Sequence, residues 1–414
     1  MRIAIIGSGI SGLTAAHLLQ RDFDIQIFEA NDYIGGHTHT IPVQTESGSY
    51  MVDTGFIVFN ETTYPNFCKI IDGLGVRSKP TEMTFSVKCA QSGVEYNAHS
   101  LNTLFSQRKN IFCPAHYRMI YDIFRFRSEF ENLLDHKYDH EPLVPYLKNR
   151  GYGERFINLF VLPITASLWS AGLDKSKNFP LGTFVRFFKN HGFLDIKNQF
   201  QWRVIQGGSQ AYVPRLIESF KDKIELHCPV TSIERKDDQV MVKHQQGSDS
   251  FDQVILAVHS DQALALLADP SEAENEILGA IGYQSNDVIL HTDSALLPRK
   301  ESIWASWNYA IPKETQDTAS LNYDMNILQG ISAPEEFVVS LNQRQHIDTA
   351  RIIGEYLYQH PLYTPQVPAA QNRHAEISGV NRTHYCGAYW GYGFHEDGVK
   401  SGLKVAQFFG KELV

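Results

Sequence analysis

Apolar and polar positions along the first thirty residues change period twice. The run Arg2-Ile3-Ala4-Ile5-Ile6 is short and β-branched, the segment 13–20 repeats its apolar residues at helical spacing, and 23–28 reads again as a strand. Between the first strand and the helix stands Gly7-Ser8-Gly9-Ile10-Ser11-Gly12, so the order is strand, glycine turn, helix, strand. The same reading predicts a strand at 39–43 and a helix at 66–74, opened by Tyr64-Pro65 and stopped by Gly75. A helix follows at 210–220, with strands at 224–227, 230–233, 240–242 and 254–257. From 269 to 373 short strands such as 288–291 and 337–341 alternate with turns. A helix at 399–409 closes the chain, its small face made by Gly398, Ser401, Gly402 and Ala406.

Between residues 85 and 200 the chain turns aromatic and basic. Tyr117, Ile120, Tyr121 and Phe124 fall on one helical face, with Arg118, Arg125 and Arg127 on others. A second block interleaves Phe179, Phe184, Phe187, Phe188, Phe193 and Phe200 with Arg186, Lys189 and Lys197. Two readings apply to both blocks: helical core whose cations snorkel to solvent, or an apolar tunnel opening on a basic, membrane-facing mouth. The uncharged stretch 156–173 just reaches the ~18-residue length of a membrane span. Asn158, Pro163, Thr165, Ser167 and Ser170 interrupt it, so it reads as buried helical turns.

Length and charge narrow the class. With 414 residues the chain exceeds what one hydrophobic core usually serves, so two interleaved domains are expected. A net charge of -9 argues against a general nucleic-acid binder, which needs a positive surface to displace counterions. The five cysteines, Cys68, Cys89, Cys113, Cys228 and Cys386, are scattered and contain no CxxC pair. They read as buried thiols of a reducing compartment, and no metal site is expected from their spacing. The apolar run after Arg2 is about four residues long, shorter than a signal-peptide core, so a cytoplasmic protein is expected. No Ser-His-Asp order, zinc spacing or Walker loop supports hydrolysis or phosphoryl transfer.

The glycine turn carries the first chemistry. Gly7 makes the tight turn, Gly9 leaves the backbone bare for a pyrophosphate, and Gly12 lets the helix press on the sheet. The phosphates would sit near Ser11 at the helix N-terminus, where unpaired N–H groups and the dipole favour anions. Glu29, followed by Ala30, stands at the ~20-residue interval at which an acid grips a ribose hydroxyl. That pattern alone does not choose between FAD and NAD. The stretch 384–398 does, because a short strand, a loop with Gly387, Gly391 and Gly393, and a terminal helix are what a flavin needs to cap its pyrimidine end. Backbone N–H groups where that helix starts, over Phe394, His395, Glu396, Asp397 and Val399, would stabilise the anionic reduced ring. Tyr389, Trp390, Tyr392 and Phe394 read as walls of a slot over the ring or as a packed aromatic turn. His395 is the candidate base because its ordinary pKa lies near neutrality, with Tyr392 as the second catalytic candidate. An orienting role for His395 beside Glu396 and Asp397 is the alternative. His191 and Trp202 are candidates for substrate contact or core, and His360 and Tyr363 carry less information.

Taken together these stretches resemble the flavin-containing amine oxidase superfamily over essentially the whole chain. Within it they are most similar to a subgroup of FAD-binding oxidoreductases akin to the N-terminal oxidase-like domain of plant cyclopropane-fatty-acid synthases. Gly35-Gly36-His37, the stretch 53–60, Thr63-Tyr64-Pro65-Asn66, Leu168-Trp169-Ser170, Trp307-Asn308 and the stretch 391–398 carry the resemblance. It implies an α/β fold: a discontinuous, Rossmann-like FAD-binding domain at 1–84, 203–268 and 374–414, and a second α+β substrate domain at 85–202 and 269–373. It also implies a second pyrophosphate contact at Gly35, Gly36 and His37, and flavin contacts at Thr54, Gly55, Phe56 and Ile57. Val230 would supply the backbone edge for adenine.

Two departures matter. Gly387 is followed by Ala388 where the superfamily commonly has an acid, leaving Glu396, Asp397 or no residue to make that contact. No lysine is clearly placed at flavin N5, the nearest candidates being Lys300 and Lys313. Three functions stay open: an FAD-dependent oxidoreductase acting on an apolar, fatty-acyl or lipid-like substrate; an amine oxidase or redox-neutral double-bond isomerase; and a flavin-binding partner of a lipid-modifying methyltransferase. Peripheral membrane contact is expected with the first.

Overall fold

Ile3, Ala4, Ile5 and Ile6 are buried, which a strand achieves only at the centre of a sheet covered on both faces. The computed structural model, which describes all residues except 140, 171, 191–199, 315–316 and 414, places that strand accordingly. Arg2–Ile6 is the middle of a five-stranded sheet ordered Ile224–Glu225, Asp24–Phe28, Arg2–Ile6, Gln253–Leu256, Thr383–Tyr385. All four pairings are parallel. Strand alternation divides the core: Ile3, Ile5, Ile27 and Ile255 face one cluster, while Ala4, Ile6, Val254 and Leu256 face another.

The first helix, Ile10–Leu19, begins inside the glycine turn, earlier than the expected 13–20. The last helix, His395–Phe408, lies along it, and the small face predicted for it is the contact. A Cβ at Gly398 would stand 2.7 Å from Ile10 Cγ2, and one at Gly402 would stand 2.5 Å from the Ser11 carbonyl oxygen. Chain start and chain end are therefore packed together.

A seven-stranded mixed sheet lies on the other side of the molecule. Its order is Ile352–Pro361, Tyr283–His291, Val338–Leu341, Leu321–Asp324, Trp307–Ile311, Phe85–Cys89, Glu95–Asn97. Only Trp307–Ile311 and Phe85–Cys89 pair in parallel within it. A three-stranded antiparallel sheet, Val230–Arg235, Val240–His244 and Gly247–Phe251, flanks the nucleotide side.

Three expectations are corrected. The helix at 210–220 is a single turn, Ser209–Tyr212, followed by a short helix, Val213–Leu216, because Pro214 removes a donor and the chain turns at once. The uncharged stretch 156–173 is more than isolated helical turns: Glu154–Phe156, a wide-pitch turn Ile157–Val161 and Leu162–Trp169 follow in one line. It ends where Ser170 takes a left-handed φ of 51°. No helix among the described residues is long and apolar enough to cross a membrane. On the helix Pro114–Glu129 the aromatic face is not core, since Tyr117, Tyr121 and Phe124 are 50%, 60% and 54% exposed. The opposite face is buried through Met119 and Phe126, and Asp122 beside them is satisfied by Arg118 Nε at 2.9 Å and Gly153 N at 2.9 Å. Phe179, Phe184, Phe187 and Phe188 of the second block are buried as core. Phe193 and Lys197 lie outside the described residues.

Candidate cofactor and active site

One cavity of about 900 Å³ runs from the glycine turn to the second aromatic block, at the upper end of ligand-cleft size. At its nucleotide end the backbone explains the sequence. Gly7 has φ 102°, and a Cβ there would meet the Ala257 carbonyl oxygen at 2.7 Å. A Cβ on Gly12 would meet the Gly7 carbonyl oxygen at 2.3 Å, so Gly12 packs beneath the loop and does not line the cavity. Gly9 has nothing within 4 Å of the Cβ position, which leaves bare backbone at the helix N-terminus. Gly35 N–H donates to the Ser8 carbonyl at 3.1 Å, and a Cβ on Gly36 would stand 3.1 Å from Gly9 Cα. The two glycine loops thus form one cradle.

Glu29 is fixed at the floor of this end. Its Oε2 accepts from Ser8 N at 2.9 Å and Ser8 Oγ at 2.6 Å, and its Oε1 accepts from Asn31 N and Nδ2, each at 2.9 Å. Ala30 and Val230 line the same end, with Pro229 and Cys228.

Thr54, Gly55, Phe56 and Ile57 line the middle of the cavity. Gly55 is required because a Cβ would fall 2.1 Å from the His37 carbonyl oxygen, which accepts from Phe56 N at 2.7 Å. Asp53 does not reach the cavity. It is buried beneath, where Oδ1 accepts from Thr40 Oγ1 at 2.5 Å and Ser209 N at 2.8 Å, and burial raises its pKa to about 7.

At the far end Gly387, Gly393, Phe394 and His395 line the cavity, whereas Glu396, Asp397 and Val399 do not, correcting that part of the expected cofactor set. Glu396 accepts from Asn66 N, Asn66 Nδ2 and Phe67 N at 3.2, 2.6 and 2.9 Å, capping the helix Pro65–Gly73. Asp397 Oδ2 accepts from Tyr392 N at 3.0 Å and Phe394 N at 3.1 Å, tying the glycine loop, and burial raises its pKa to about 6. Val399 is fully buried in the core.

His395 is corrected as a base. Its ring stacks on Phe56 at 3.7 Å, its Nε2 is 3.0 Å from the Tyr212 hydroxyl, and burial lowers its pKa to about 3. A neutral imidazole so held is a wall and a hydrogen-bonding group, weak as a proton acceptor. Tyr392 lies on the wall near Phe187, 5.9 Å between ring centroids, and its carbonyl accepts from Trp169 Nε1 at 3.3 Å.

Beyond these residues the cavity is walled by Trp169, Phe187, Trp202, Trp307, Tyr323 and Tyr363. His191 lies outside the described residues. Among described lining residues there is no lysine or arginine, and Glu29 is the one carboxylate. Lys300 and Lys313 are exposed and away from it. Sequence reasoning named His37 and His360 separately but missed His259 and the group the three form on the wall. His37 lies 6.0 Å from His259 and 5.6 Å from His360 between ring centroids. Burial, then the neighbouring imidazoles, lowers His37 to about 3 and His360 to about 4. The signal for His259 was its place just after a parallel strand, where α/β sheets bind ligands.

The chain matches the family model described as flavin containing amine oxidoreductase over residues 10–320. Flavin-containing amine oxidase A of Canis lupus familiaris is 24% identical over 262 residues, 58% of this chain and 46% of that protein. The match therefore spans about half the length of such curated relatives. A 1-hydroxycarotenoid 3,4-desaturase of Flavobacterium sp. (strain P99-3) is 46% identical over 56 residues, 13% of this chain and 11% of that one. Among solved structures, cyclohexylamine oxidase from Brevibacterium oxydans IH-35A superposes with TM-score 0.70 at 17% identity, covering 98% of each chain. A CLA-producing fatty acid isomerase from P. acnes superposes with TM-score 0.70 at 18% identity, covering 99% of this chain and 98% of that one. The bare Gly9 backbone, the Gly35-Gly36 cradle and the glycine loop before the last helix fit FAD, and FAD is the cofactor of this cleft.

Proposed function

This chain belongs to the flavin containing amine oxidoreductase family, and on that premise we propose that it is an FAD-dependent oxidoreductase taking hydride from an apolar, fatty-acyl or lipid-like substrate. The observation that carries the substrate class is the wall beyond the flavin end, which is mostly aromatic and aliphatic and, among the described residues, offers no carboxylate. An alkylammonium brought there would be desolvated with no carboxylate to pair with, and the aromatic faces would offset only part of that cost. A hydrocarbon chain gains from the same surroundings.

FAD supplies the two-electron sink. Gly9 and the Gly35-Gly36 cradle would hold its phosphates and Glu29 its ribose, while Phe56 stacked on His395 forms a flat wall. The dipole at the start of the last helix would favour negative charge beside it. Trp169, Phe187 and Tyr363 exclude water and orient the chain to be oxidised.

The test is anaerobic mixing of the flavoprotein with oleoyl and linoleoyl lipids on one side, and cyclohexylamine and putrescine on the other. Bleaching of oxidised flavin by the lipids alone is expected. Bleaching by amines alone overturns the substrate class. A shifted double bond formed with no net acceptor consumption would replace oxidation by isomerisation.

A further inference from the structure

Strand register assembles a second polar cluster behind the nucleotide end that no cysteine or histidine spacing announces. Glu225 ends one strand of the parallel sheet, Cys228 lies in the loop that follows, and His244 ends the strand Val240–His244. A carboxylate oxygen of Glu225, Cys228 Sγ and a ring nitrogen of His244 all lie within 4.8 Å of one another. Sγ is 3.3 Å from His244 Nδ1. His244 Nε2 is 3.0 Å from Asp249 Oδ2, which can only accept, so the ring proton sits on Nε2 and the Nδ1 lone pair faces the sulfur.

We propose that Glu225, Cys228 and His244 form a binding site for a divalent cation of the zinc type. Zinc bonds of ~2.3 Å to sulfur and ~2.0–2.1 Å to nitrogen set a tetrahedral edge of roughly 3.5 Å, close to the sulfur–nitrogen separation found here. One thiolate, one imidazole and one carboxylate favour zinc over the hard cations magnesium and calcium, and three protein ligands leave the fourth position to water. Binding forms the metal–sulfur bond as the Cys228 thiol proton leaves to solvent, with no redox change. Supporting groups are in place: Asp249 orients His244, and Gln26 Nε2 donates to Glu225 Oε1 at 2.8 Å. Cys228 is fully buried, and the His244 side chain is 6% exposed.

The site is joined to the cofactor cleft through backbone. Glu29 N donates to the Glu225 carbonyl at 2.8 Å, and Cys228 N donates to the Glu29 carbonyl at 2.9 Å. A cation held by residues 225 and 228 therefore clamps the ribose acid from behind and stiffens the adenosine end of the cleft.

The experiment is titration of the chelator-treated flavoprotein with Co²⁺ and with Zn²⁺. One equivalent is expected, with a near-ultraviolet thiolate-to-cobalt charge-transfer band that Zn²⁺ removes. Cys228→Ser and His244→Gln should abolish the band, and Asp249→Asn should weaken affinity by about 10–100-fold. Cys113→Ser, at a more accessible thiol, should leave it unchanged. Circular dichroism and the urea unfolding midpoint report folding of each variant. Absence of the band in folded wild-type protein overturns the site, as does a band that survives in Cys228→Ser.

Discussion

Asp53 is buried with one carboxylate oxygen that meets no donor, and burial lifts its pKa from 3.8 to about 7. Between those values the native state keeps a proton that the unfolded chain releases, so this group makes stability fall as pH rises. Asp53→Asn carries no such charge. It should gain on the wild type by on the order of a few kcal/mol between pH 4 and pH 8, measured by urea unfolding of the apoprotein. A difference that does not change with pH would show that Asp53 is not the titrating group. His395 yields a different expectation. Because its imidazole is neutral across the working range, His395→Ala should weaken FAD binding yet leave the shape of the flavin-reduction pH profile unaltered. Loss of a limb near pH 6–7 would restore it as the base. The glycines at 7, 35 and 36 were legible because backbone sterics demand them, and Gly9 because a phosphate needs bare backbone to approach. The roles of 395 to 399 were not, because successive helical residues point about 100° apart. One turn therefore sends His395 to the cavity, Glu396 to another helix, Asp397 to a loop and Val399 into the core.

The helices at the two chain ends form the support under the cofactor. Gly402→Ala improves helix propensity by about 1 kcal/mol in isolation. Here the added Cβ would sit 2.5 Å from the Ser11 carbonyl oxygen and 3.0 Å from Thr14 Cβ. The variant should therefore lose about 1–3 kcal/mol and retain less FAD, because Ser11 borders the phosphate cradle. A rise in melting temperature would sink this account of the contact. Glu396→Ala should cost about 1–2 kcal/mol through the uncapped helix Pro65–Gly73 while leaving the flavin spectrum in place. A shifted spectrum would instead put Glu396 beside the ring. Elements with one dominant signal were readable, such as the first strand and the helix opened by Pro65. The segment 210–220 was not, because Pro214 outweighed its apolar spacing. The helix Pro114–Glu129 had the right period but the wrong inward face, since Met119 and Phe126 fill the core and the buried Asp122 between them finds two donors.

At the scale of the molecule, the sequence shows that strands and helices alternate, but not which strands meet. Phe85–Cys89 pairs with Trp307–Ile311 across the whole length of the nucleotide fold, and nothing local to either strand encodes that partner. Phe112, Tyr121 and Phe124 are 86%, 60% and 54% exposed, on the same helical region as Leu101 and Tyr117. Large apolar side chains grouped on a surface mark an interaction site, and Arg108, Lys109 and Arg118 accompany them. A lipid surface fits a protein whose proposed substrate is an acyl chain. The net charge of -9 would repel an anionic membrane over most of the molecule, so the membrane contact proposed here is expected to use this face. Flotation with phosphatidylcholine vesicles should carry the wild type, with modest sensitivity to salt. The double substitution Tyr121→Ser with Phe124→Ser should reduce vesicle binding by at least ~10-fold, from the loss of two partly inserted rings. Because both side chains are already largely in water, its unfolding free energy in urea should stay within ~0.5 kcal/mol of wild type. Wild-type protein that remains with the unbound fraction would mean that the aromatic face serves something other than lipid.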